Sequence, residues 1–141
     1  MLLCKESMFS EAQTIAAADY HNGDVTDSTN TLDWKSHGDD IDKVLRLFVL
    51  NTQAATSAGA ATLTVKLLTS ADGTNWTTIR TWTAFTLAQI AVAGSFLLNN
   101  EPLPDGLLKY VKLTYTVGGA DLTGSPKLTA GITDNSHFVK R

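Results

Sequence analysis

Three histidines, one cysteine and a scatter of carboxylates are the residues of this 141-residue chain whose types can move protons, attack carbonyls or hold metals. Their spacing assembles none of these chemistries. His21, His37 and His137 stand far apart in loop-like segments, and none has a cysteine or carboxylate at metal-ligand spacing. Cys4 lacks a base and an orienting group. Asp39-Asp40-Ile41-Asp42 has the acidity of a calcium loop. It lacks the alternating oxygen ligands, the central glycine and the closing bidentate glutamate, so it reads as a solvated acidic loop. Gly118-Gly119 is not followed by Lys-Ser/Thr and a helix, so no phosphate loop is present. Glu101 and Asp105 flank a proline turn. The expectation is a protein with no catalytic residue, no metal and no cofactor, and hence no enzyme.

The aromatic residues point to binding instead. Trp76, Arg80 and Trp82 fall in period two and are expected on one sheet face. Three readings stand for them: core packing, a protein–protein surface, since Trp and Arg are favoured there, or a sugar-binding platform. Ser70-Ala71-Asp72-Gly73-Thr74-Asn75-Trp76 resembles the Ser-x-Asp-Gly-x-x-Trp hairpin of carbohydrate-binding sandwiches, a hairpin many other β-sandwiches share. Met8, Phe9 and Trp34 are apolar side chains in segments otherwise built of loop chemistry. They suit anchoring on a partner or plugging the ends of a sandwich.

The elements that must position these residues are strands. Thr occurs 20 times and the charged fraction is only 18%. β-branched side chains suit the pleat, and the low charge argues against disorder and against coiled coil. A net charge of -3 gives no basic surface for nucleic acid, and no apolar run reaches the ~18–20 residues of a membrane span. One cysteine forms no internal disulfide. Only Leu2 and Leu3 precede Cys4, short of the apolar stretch of a secretory signal, so a free thiol in a protein made in a reducing cytoplasm is expected.

Along the chain, residues 1–18 read as an N-terminal arm or first strand, with a helical turn as one option over residues 6–13. Residues 19–42 read as an acidic loop region, with seven Asp against Lys35 and a short strand near Thr31–Lys35. Residues 43–133 hold the sandwich strands, and 134–141 are a tail, all in a single domain. Leu45–Leu50 is apolar on both faces, Phe48 and Leu50 included; its second face must be covered, either by a partner or by segment 19–42. Leu63, Val65 and Leu67 alternate with Thr and Lys, as do Val111, Leu113, Tyr115 and Val117, which assigns them inward. Glu101-Pro102-Leu103-Pro104 cannot continue a strand by ladder chemistry. Seven or eight short strands with turn signals between them make an all-β antiparallel sandwich.

Four segments in series carry a resemblance. They are Phe9-Ser10-Glu11-Ala12-Gln13, Gly59–Leu67 with Thr69-Ser70-x-Asp72, Leu108–Val117, and Lys127–Ile132. In this order and spacing they resemble the capsid cement (decoration) proteins of short-tailed bacteriophages, of the kind first recognised in a Bordetella phage, over about residues 7 to 133. The resemblance implies a jelly-roll-like β-sandwich on the exterior of the virion. It would bind the icosahedral shell and bridge major capsid protein subunits, with no enzymatic activity. It also implies pairing with itself, a homodimer first and a trimer as the alternative. Residues 19–43 look longer and more acidic than the corresponding family segment. The other reading of the chain is a carbohydrate-binding module.

Overall fold

Alternating apolar and β-branched residues make strands wherever one face can be buried, and the computed structural model shows them in nine places among the residues it describes (8–15, 21, 23–33, 45–104, 106–124 and 126–134). In chain order these are β1 (Met8–Thr14), β2 (Val25–Asp27), β3 (Leu32–Asp33), β4 (Leu45–Gln53), β5 (Thr62–Ser70) and β6 (Thr77–Thr81), then the single helical turn α1 (Leu87–Ile90), β7 (Ser95–Pro102), β8 (Tyr110–Gly118) and β9 (Lys127–Asp134). One sheet has the order β1-β9-β4-β7 and the other β2-β8-β5-β6, with β3 pairing further along β8; all pairs are antiparallel. With β2 and β3 taken as two pieces of one strand, the orders become 1-8-3-6 and 2-7-4-5. This is the two-sheet jelly roll, in which most successive strands change sheet.

The alternation assigned on β5 and β8 sets the core. Leu63, Val65, Leu67, Val111, Leu113, Tyr115 and Val117 are all buried, and β5 pairs with β8 in unbroken register from Thr62↔Gly118 to Ser70↔Tyr110. Across the sandwich they meet Phe9, Leu47, Val49, Leu128, Ala130 and Ile132. Ile90 of α1 joins them. The turn is closed by a capping box of Thr86 and Gln89, and the buried Asn51 amide donates to the Ile90 carbonyl at 2.7 Å.

Polar groups close the two flanks. Between β1 and β8 the Ser10 and Tyr115 hydroxyls lie 2.8 Å apart, and between β1 and the β2–β3 segment Gln13 Nε2 donates to the Asp27 carbonyl at 2.8 Å and Asn30 N donates to the Phe9 carbonyl at 2.9 Å. Between β6 and β7, Trp82 Nε1 donates to Glu101 Oε2 at 3.2 Å, and Arg80 lies over the Trp82 ring, 5.3 Å from its centroid.

Several local readings are corrected. The helical-turn option for residues 1–18 gives way, over the described Met8–Thr14, to the first strand: Phe9 is 0% exposed and Met8 3%, because the aromatic ring has a core to enter once β1 pairs with β9. Val25–Asp27, read as loop, is an edge strand on β8. β7 runs through Glu101 to Pro102; it is the last strand of its sheet, where a missing N–H costs no ladder bond. Trp76 and Trp82 do not share a face. The pairing β5–β6 shifts between Leu67↔Arg80 and Leu68↔Thr78, and the extra residue of this bulge reverses the side-chain alternation. Trp82 enters the core, whereas Trp76 lies on the outer face beside Lys112.

Candidate functional site

Exposed apolar surface is a feature that marks candidate binding sites. On β4, Leu47 and Val49 point into the core, so Arg46, Phe48 and Leu50 stand on the outer face of the first sheet. Phe48 pairs across the ladder with Gly131 of β9, and Gly131 in turn with Met8 of β1. The glycine leaves room between two large side chains, and both are buried within the chain itself. Phe96 of β7 meets the Phe48 ring edge-on, with centroids 6.4 Å apart and planes at 77°, and is paired opposite Leu50.

The face is not covered at its β7 margin. Phe96 is 43% exposed and Val92, just after α1, is 54% exposed. A shallow depression of about 180 Å3 lies between them, lined by Gln89, Val92, Ser95, Phe96 and Leu97. The reason lies in β7 itself. Its register shifts twice against β4, between Leu98 and Glu101 and between Phe96 and Leu98, and Asn100 takes a positive φ of 57° there. The bulged strand twists away and leaves Phe96 proud. Leu50 is half-buried beside it. At the other end of the same row, Arg46 Nε is shut off from solvent with no hydrogen-bond partner.

On the opposite sheet, the Trp76 ring carries Lys112 Nζ at 4.5 Å from its centroid, and the same ammonium lies 3.3 Å from Asp27 Oδ2. One ring face is thus already occupied. The turn before it is a scaffold. Asp72 accepts from the Asn75 and Thr74 backbone N–H groups at 2.9 and 2.8 Å, and from Asn75 Nδ2 and Ser70 Oγ at 2.9 Å each. These bonds, the backbone ones foremost, hold its carboxyl well below the usual carboxylate range. Arg80 is exposed and pairs with Glu101 at 3.8 Å, at the rim above the buried Trp82.

The structure therefore brings Phe48 and Leu50 together and separates them from Trp76, Arg80 and Trp82, while Phe9 and Trp82 lie in the core. Trp34, Cys4, His37, His137 and the Asp39–Asp42 run fall outside the described residues. His21 is at the surface with Nδ1 3.4 Å from Asp121 Oδ2. Among the described residues there is no group of three or more metal-ligating side chains, and no helix long and apolar enough to cross a membrane. Sequence reading singled out neither Val92 nor Phe96. The signal available was Phe96 following Gly94-Ser95, an aromatic ring opening a strand with no face assigned to it.

No curated protein matches the chain. The family model Bbp16 matches residues 9–133, from the Phe9 that β1 sends into the core to the end of β9. A match over that stretch spans both sheets of the jelly roll, and the chain belongs to the Bbp16 family, whose name points to a Bordetella phage protein.

Proposed function

We propose that this protein is a capsid cement protein of the virion. It binds the outer surface of the icosahedral shell, bridges major capsid protein subunits and stabilises the DNA-filled head, and it catalyses no reaction. The observation that carries this reading is the family match over residues 9–133, which coincides with the stretch over which four segments resemble phage cement proteins. The jelly-roll sandwich and its exposed apolar margin support it.

The mechanism is linkage. A protein that binds the assembled shell better than dissociated subunits stabilises assembly by mass action, and ~100-fold saturation adds about 2.7 kcal/mol per site. Self-association, as a homodimer or alternatively a trimer, raises the effect through effective concentration when both contacts fit at once.

The test is to add purified protein to mature shells lacking it and heat them. Binding with a higher temperature of DNA release is expected. Failure to bind, or binding with no shift in release temperature, rules the cement role out. Light scattering on the free protein tests the oligomer, and a monomer at high concentration removes that part of the mechanism.

A further inference from the structure

Of the described large apolar side chains, four are well exposed, and two of them, Val92 and Phe96, flank one depression at the β7 margin of the β1-β9-β4-β7 sheet, with Phe96 on its outer face. Arg46 stands on the same face. Leu50, the β4 partner of Phe96, lies four positions further along the strand, which places the two ends of the row roughly 13 Å apart. Arg46 joins no ion pair among the described residues, and its Nε is buried without a hydrogen-bond partner. Burial of the Nε end holds the side chain in place, and among the described residues no carboxylate compensates its charge. A guanidinium held in this way is preorganised for an external carboxylate.

We propose that this row is the surface that meets the shell, and that its occupant is an extended segment of a capsid subunit. That segment would set an apolar side chain into the Val92–Phe96 depression and a carboxylate, about four residues away, against Arg46. The inference rests on the cement reading. Charge complementarity selects the occupant: an apolar partner face alone would leave Arg46 desolvated and unpaired, which costs more than the apolar contact gains. On the outer face of the second sheet, Lys112 is already paired with Asp27 and stacked on Trp76.

The experiment measures binding of the full chain to shells lacking it, for wild type, Phe96→Asp, Val92→Asp, Arg46→Gln and, as a control on the other sheet, Thr78→Asp. Thermal melts verify the fold of each. Because Val92 lies in an exposed loop, Val92→Asp reads the surface even if a strand variant fails to fold. The two Asp variants should weaken binding roughly tenfold or more, as loss of a central apolar anchor does. Arg46→Gln should weaken it and flatten its salt dependence, and Thr78→Asp should bind as wild type does. Folded Asp variants that bind like wild type overturn the surface. An Arg46→Gln protein with unchanged affinity and salt dependence overturns the acidic occupant. If Phe96→Asp dissociates an oligomer while shell binding persists, the patch belongs to a second copy and the proposal fails. Wild-type protein that binds no shell removes the cement reading itself.

Discussion

Ser10 and Tyr115 sit on facing sheets with their hydroxyls 2.8 Å apart, and both side chains are fully buried. Burial pushes the Tyr115 phenol well above its ordinary value, with the Ser10 bond opposing the shift. The pair predicts an asymmetry. Tyr115→Phe leaves the Ser10 hydroxyl still donating to Gln13 at 2.6 Å, so the loss should be near that of one ordinary hydrogen bond, ~0.5–1.5 kcal/mol. Ser10→Ala strands the phenolic group in the core, which costs ~1–3 kcal/mol. Urea unfolding of the two variants checks the order, and the double variant should be closer to Tyr115→Phe than the sum of the singles. Asp72 supplies a pH-dependent prediction. Its folded carboxyl is held below its ordinary value of 3.8, so the bonds it accepts stabilise the fold fully above that value and less as pH falls below it. Asp72→Ala should therefore lower the melting temperature at neutral pH, and the gap to wild type should narrow on acidification. A gap that widens in acid would contradict the turn assignment.

Edge strands hold the strain and the surprises of this fold. Ala12 of β1 has φ of 49°, in the left-handed region, at the point where pairing with β9 shifts between Ser10 and Gln13. An alanine there costs ~1–2 kcal/mol relative to a relaxed conformation, and glycine avoids the Cβ clash at some cost in unfolded-chain entropy. Ala12→Gly should stabilise the protein by ~0.5–1 kcal/mol; a destabilised variant would show that the bulge is held differently. Gly119 is the opposite case. It has φ of 75°, and a Cβ there would lie 2.6 Å from the Ala60 carbonyl oxygen, so Gly119→Ala should lower the melting temperature markedly. Among the central strands, β5 and β8 were legible because both neighbours and both faces constrain them. β6 was not, since a bulge on an edge strand leaves no mark in the residue alternation. That is why Trp76 and Trp82 parted.

At the scale of the whole molecule, β1 is part of the sandwich, and truncations must respect it. Deleting residues 1–10 removes Phe9 from the core and Ser10 from Tyr115, so a loss of at least the ~3–5 kcal/mol of a Phe deletion is expected, read as a lowered melting temperature. Binding lost by such a protein reports on folding. Deleting residues 1–7 leaves every described core residue in place and is the truncation that tests shell contact. The sequence by itself determined the class: strict alternation at Leu63–Leu67 and Val111–Val117 names the inward faces, and the absence of any spaced His, Cys or carboxylate set turns attention from chemistry to binding. Those features are local, set by residue period and spacing. Tertiary structure alone decided which strands neighbour one another, that Phe9 fills the core, that Arg46 and Phe96 lie on one face, and that Val92 sits beside Phe96. These depend on pairings between residues distant in the chain and on bulges at sheet edges. The energies that place them arise only once both sheets are assembled.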